Sequence, residues 1–147
     1  MTFLAFARVG VVAALFTFAS FLASAADKPF QRDDLSDSAI RLEAKIKADA
    51  GTVAKPAAAL KRDADAAFQR NDGRTGLQLL GQIAAVAPDD VSNWLRLTRA
   101  ILNIYAPTES ERYELLDRAA TAAYIAYQRG TNRDEEADAL NLLSRSF

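Results

Sequence analysis

Residues 76–97 read GLQLLGQIAAVAPDDVSNWLRL. Two leucine-rich runs meet at Ala87-Pro88-Asp89-Asp90, and the single tryptophan, Trp94, stands six residues after the proline. This stretch restricts the fold more than any other. Gly76, Leu77, Leu80, Ile83 and Ala84 recur at helical spacing before the break, and Trp94, Leu97 and Ile101 recur at the same spacing after it. Proline removes a backbone donor and cannot continue a helix, so the two runs form separate helices joined by a tight turn.

The same grammar runs along the chain. A first helix is predicted to start near Asp34 to Ser36, with Leu35, Ala39, Leu42 and Ile46 on its apolar side and Gly51 as its stop. A second begins near Pro56 and carries Leu60, Ala64, Ala67 and Phe68. Asn71-Asp72-Gly73 is a turn signal before the third. Ser92 is the expected cap of the fourth. Thr108 and Glu111 have capping-box spacing at the start of a fifth, which ends at Gly130. Asn132 and Glu135 repeat that spacing, and the sixth helix is expected to turn Ala137, Leu140, Leu143 and Phe147 inward. Alternating β-branched runs are missing outside the N-terminal segment, so the expected fold class is all-α, with short loops making successive helices antiparallel neighbours.

Beyond single helices, the stations of small and bulky residues resemble tetratricopeptide (TPR) repeats, helix pairs of about 34 residues. Ala64, Ala67 and Phe68 sit on a first helix. Gly76, Leu80, Ile83 and Pro88 fit the second-helix stations, and Trp94 and Leu97 open the next unit. Ala120, Tyr124 and Tyr127 repeat the second-helix spacing, after a stretch of roughly ten extra residues around Ile104 to Arg112. Leu140, Leu143, Ser144 and Phe147 then fit a third first helix. Small residues let two backbones approach while Leu, Trp or Tyr fills the adjacent hole. The expected architecture is a short TPR-like α-solenoid of antiparallel helix pairs whose last repeat is incomplete. A solenoid end needs a polar cap, so the expectation is an N-terminal piece of a longer protein. The competing reading is a short protein whose last helix docks back or dimerises.

The N-terminus carries Arg8 and then an uncharged run from Val9 to Ala26, with Ala23-Ser24-Ala25 near its end. This is the pattern of a secretory signal peptide cleaved after Ala25. An uncleaved membrane anchor is the alternative, since the run is near the minimum length for a span. The expected organisation is a signal peptide over residues 1–25, an extended leader over 26–34 and a helical domain over 35–147. The expected location is the bacterial periplasm.

Chemistry has little foothold. The 147 residues include no cysteine and no histidine, which removes disulfides, thiolate and imidazole ligands and the usual general base. Formal net charge is −1, too small for a field that favours nucleic acid. Gly73-Arg74-Thr75-Gly76 has the G-x-x-G spacing of one RNA-binding fold, but that fold needs a sheet, and a turn with a packing glycine is the better reading. Asp89-Asp90 and Glu135-Glu136 are better explained as caps and helix-dipole partners than as acid–base or metal pairs. Lys61, Arg62, Arg70 and Arg74 are interspersed with Asp63, Asp65 and Asp72 and read as solvated surface. No catalytic residue, cofactor site or metal site is expected. Trp94, Tyr124 and Tyr127 read as core. Tyr105 and Tyr113 flank the expanded loop outside the packing stations and are the candidate partner contacts.

Three segments carry a family resemblance: AADKPFQRDDLSDSAIRLEAKIK, DAAFQRNDGRTGLQLLGQIAAVAPDDVSNWLRL and RAATAAYIAYQRG. Together they resemble the N-terminal helical region of bacterial alpha-2-macroglobulin family proteins. The resemblance implies a large periplasmic parent that traps or inhibits proteases through a bait segment and, in many members, a Cys-Glx thioester. This chain has no cysteine and no β-domains, so no functional residue transfers. The expected function is a non-catalytic protein-interaction module whose partner is a protein or peptide, downstream domains of the same parent included. The alternative is a TPR-like structural spacer that binds nothing.

Overall fold

A computed structural model of the protein describes Lys28 and residues 30–147. The expected signal peptide, its cleavage site and the anchor alternative lie outside the described residues. Six α-helices follow one another: α1 (Asp33–Ala50), α2 (Ala57–Gln69), α3 (Gly73–Val86), α4 (Val91–Leu102), α5 (Glu109–Arg129) and α6 (Arg133–Ser144). The fold is all-α, with no strand among the described residues. No helix among them is long and apolar enough to cross a membrane.

Local chemistry sets the ends. Asp33 and Asp34 occupy the first turn of α1, where carboxylates favour the positive end of the helix dipole. Gly51 ends that helix at φ 56°, a left-handed conformation that a side chain makes costly. Pro56 precedes α2 with its φ fixed at −68°. Asn71 takes φ 59° in the turn to α3, and the Asp72 carboxylate then accepts a hydrogen bond from the Thr75 amide at 3.1 Å. The α4 cap is a correction: Asp90, not Ser92, accepts from the Asn93 amide at 3.1 Å, and Ser92 is exposed inside the helix. The turn after Pro88 is two residues tighter than expected, so the carboxylate reaches the helix end first. Thr108 caps α5 through the Glu111 amide, and Asn132 caps α6 through the amides of Asp134 and Glu135.

Packing joins each helix from α2 onward to its chain neighbour, and α4 also touches α6. The first helix, α1, lies against α3 and α5. Helix α5 is therefore enclosed by α1, α4 and α6, and every residue from Ala119 to Tyr127 is buried. The expected inward stations Ala120, Tyr124 and Tyr127 are only part of that belt. Five alanines there leave room for three neighbours to approach closely. The first half of the same helix differs: residues 109–114 are exposed, and only Leu115 and Leu116 are partly covered before Ala119.

The inward face of α6 is a second correction. Ala139, Leu142 and Leu143 are buried, with Ser146 beyond them. The expected Leu140 is 37 % exposed, Phe147 is 75 % exposed and Ala137 lies outside. Both stripes satisfy helical spacing. Because α6 meets α4 and α5 together, the stripe that includes the small Ala139 is the one that fits between them.

Candidate functional site

The loop from Asn103 to Thr108 leaves the body after α4, and the exposed start of α5 follows it. Tyr105 on the loop is 86 % exposed and Tyr113 on α5 is 68 % exposed. Both candidate contact residues are thus at the surface. Beside Tyr105 runs an open cleft of about 390 Å³ whose walls are Ile101, Leu102, Ile104 and Ala106 from the α4 side and Leu115 and Leu116 from α5. Arg112 and Arg145 stand at its edge. Residues 112, 115 and 116 share one helical face by their spacing. Sequence reasoning found Tyr105 but missed the two arginines, because Arg145 reaches the cleft only through the docking of α6.

The candidate packing residues are placed differently. Ala64, Ala67, Gly76, Leu80, Ile83, Trp94, Leu97, Ala120, Tyr124, Tyr127 and Leu143 are buried. Phe68 is half-buried and covers Gly76, where an added Cβ would stand 2.5 Å from its Cζ. Pro88 is exposed, but its carbonyl accepts the Trp94 indole N–H at 2.7 Å and Arg129 at 2.6 Å. Arg129 also reaches Glu43 on α1 at 2.6 Å and lies over the Trp94 ring. One guanidinium so connects α1, the α3–α4 turn, α4 and α5.

The face formed by α2, α4 and α6 carries charge that is internally matched. Arg96 pairs with Asp65 on α2 and stacks over Phe68, and Arg99 pairs with Asp138 on α6. Lys61 on α2 reaches Asp90 at 2.6 Å. The paired acids are likewise engaged: Asp90 caps α4, and Glu135 folds back onto Thr131 while Glu136 pairs with Lys28. The Thr131 amide holds the Glu135 carboxyl below its ordinary value. No group of three or more acidic residues placed to hold a metal occurs among the described residues.

The leader is a further feature that the sequence reading left as a polar connection. Lys28 is buried at 8 % exposure, pairs with Glu136, donates to the Gly130 carbonyl at 2.8 Å and lies 5.4 Å from the Tyr127 ring centre. The Phe30 ring meets Tyr124 and Tyr127 edge-on. Its amide donates to the Tyr127 hydroxyl at 3.1 Å, and Gln128 donates to its carbonyl. Lys28 and Phe30 thereby tie the leader to α5 and α6. A lysine and an aromatic in an otherwise polar leader were the available signal.

No protein family, curated protein or solved structure matches the chain.

Proposed function

We propose that the chain is a non-catalytic periplasmic interaction module, built as a short TPR-like stack of helix pairs, that contacts a protein partner through the lip bearing Tyr105 and Tyr113. The observation that carries this reading is the exposure of two large aromatics, Tyr105 and Tyr113, the first of them in the lining of a cleft with several aliphatic side chains. Isolated apolar side chains are ordinary on surfaces, but aromatics grouped with an apolar depression and polar rim match the make-up of interface cores. The serial packing of α2 to α6 supports the repeat reading, because each helix finds its main partner next in the chain.

The parent is proposed to be an alpha-2-macroglobulin-like protease inhibitor, with this chain as its N-terminal segment. That part rests on the three resembling segments alone. Sequencing the genomic DNA downstream of codon 147 tests it: a reading frame continuing into β-rich domains is expected, and a stop codon there removes the inhibitor role.

A photoreactive phenylalanine analogue placed at position 105 or 113 tests the module itself. Discrete protein adducts in the periplasmic fraction are expected from both positions and not from Gln69. Equal labelling at all three positions overturns the reading. The spacer alternative has one observation in its favour: the arginines of α4 are already matched by Asp65 and Asp138, so that face offers a partner little free charge.

A further inference from the structure

From the charges around the α4–α5 cleft, and resting on the interaction-module reading above, we infer that its partner presents an apolar segment carrying carboxylates, which seats between Arg112 and Arg145. Ile104, Leu115 and Leu116 are among the side chains that line the cleft, as is Tyr105. Its charged lining is cationic, and the acids nearest in sequence to Arg112, Glu109, Glu111 and Glu114, are not part of it. Neither arginine forms an ion pair or side-chain hydrogen bond among the described residues.

The other clefts with arginines in their lining either include an acidic side chain or hold arginines already paired with one. The cleft between Phe68 and Asn103 contains Arg96 and Arg99, but both are already paired with aspartates. The one beside Leu77 holds Arg74 and Arg118 together with Asp49. The one over Trp94 has Arg129 paired to Glu43. Two guanidiniums without acid partners in one cleft with aliphatic side chains ask for carboxylates next to an apolar side chain, because a guanidinium fork binds a carboxylate through two parallel hydrogen bonds. The apolar contact supplies attachment, and the charges select acidic segments over basic ones.

A protein segment fits better than a small molecule. Sites for small ligands enclose most of the ligand surface. Tyr105, in the lining of this depression, is 86 % exposed, the setting of an interface aromatic.

The test uses the purified chain and two rhodamine-labelled peptides, Gly-Glu-Leu-Trp-Glu-Leu-Gly and its counterpart with lysine in place of glutamate, read by fluorescence anisotropy. The acidic peptide is expected to saturate below about 1 mM, and the basic one to bind at least about tenfold more weakly. The double variant Arg112→Glu with Arg145→Glu should reverse that preference while keeping the same thermal midpoint, since both side chains are exposed. The control pair Arg74→Glu with Arg118→Glu should leave it unchanged. Equal binding of the two peptides, no saturation by the acidic one, or indifference to the Arg112/Arg145 reversal overturns the inference. Adducts at positions 105 and 113 alongside any of those results would leave the module standing and remove only its acidic partner.

Discussion

Gly76 and Gly81 share α3 yet are predicted to respond oppositely to the same substitution. At Gly76 a new Cβ meets the Phe68 ring at 2.5 Å, so the ring must move and Arg96 loses its stacking surface. At Gly81 nothing lies within 4 Å. Gly81→Ala should therefore stabilise by about 0.5–1 kcal/mol, the usual gain from replacing glycine inside a helix. Gly76→Ala should lose that gain to overpacking, which costs about 1–3 kcal/mol. Urea unfolding of the two variants reads the difference directly, and stabilisation by both would show that Phe68 swings aside freely. Trp94 is the second residue-scale case. It is 1 % exposed, with its indole N–H on the Pro88 carbonyl. Trp94→Ala is expected to cost about 3–5 kcal/mol, and a loss under about 1 kcal/mol in the same unfolding measurement would place it outside the core. Its burial was legible from the six-residue offset after Pro88, whereas the guanidinium of Arg129 over its ring was not, because α5 lies far along the chain.

Among the elements, α3 shows how a cap couples stability to pH. Hydrogen bonds from Thr75 hold the Asp72 carboxyl below the ordinary 3.8 of an aspartate. The folded state therefore prefers the charged form. The contribution is complete well above pH 3.8 and fades as pH falls through that value toward the lowered folded one. Asp72→Asn keeps an acceptor for the Thr75 amide but cannot titrate. Its unfolding free energy is expected to fall less steeply between about pH 5 and pH 2 than that of the native chain. Parallel curves for the two proteins would show that the cap does not titrate with folding. Caps at Thr108 and Asn132 were readable because capping involves residues two or three apart, while Asp72 read only as part of a turn. The inward face of α6 was not. Leu140 and Leu142 both satisfy helical spacing, and the choice between them belongs to the surfaces of α4 and α5.

At the scale of the whole molecule, Lys28 and Phe30 bind α5 and α6 from a point about a hundred residues away in sequence. Removing Glu136 leaves Lys28 buried beside only the Gly130 carbonyl and the Tyr127 ring. An uncompensated buried charge is costly, so the leader should leave its groove in the Glu136→Ala variant rather than stay docked. Amide hydrogen exchange is the measurement: protection of the Phe30 N–H is expected to disappear, while amides within α2, α3 and α4 keep theirs. Retained protection at Phe30 would mean that the aromatic contacts alone hold the leader. Arg129 performs a related task on the other side of α5 by reaching α1 and the α3–α4 turn at once. Both ties attach at or just beyond the C-terminal end of the buried Ala119–Tyr127 belt.

What the amino-acid order determined by itself is local. The absence of alternating runs makes the chain helical, Gly51, Pro56, Asn71 and Pro88 set its breaks, and the small-and-bulky spacing marks Ala64, Leu80, Trp94 and Tyr124 for burial. Each of these follows from backbone geometry or from contacts within a few residues. Only the tertiary structure decided which stripe of α6 faces inward, why α5 is buried all round from Ala119 to Tyr127, where Lys28 and Phe30 dock and that Arg112 and Arg145 line one cleft. Those features depend on several helices converging on one place, and helical periodicity says which side of a helix is apolar without saying how many neighbours will cover it.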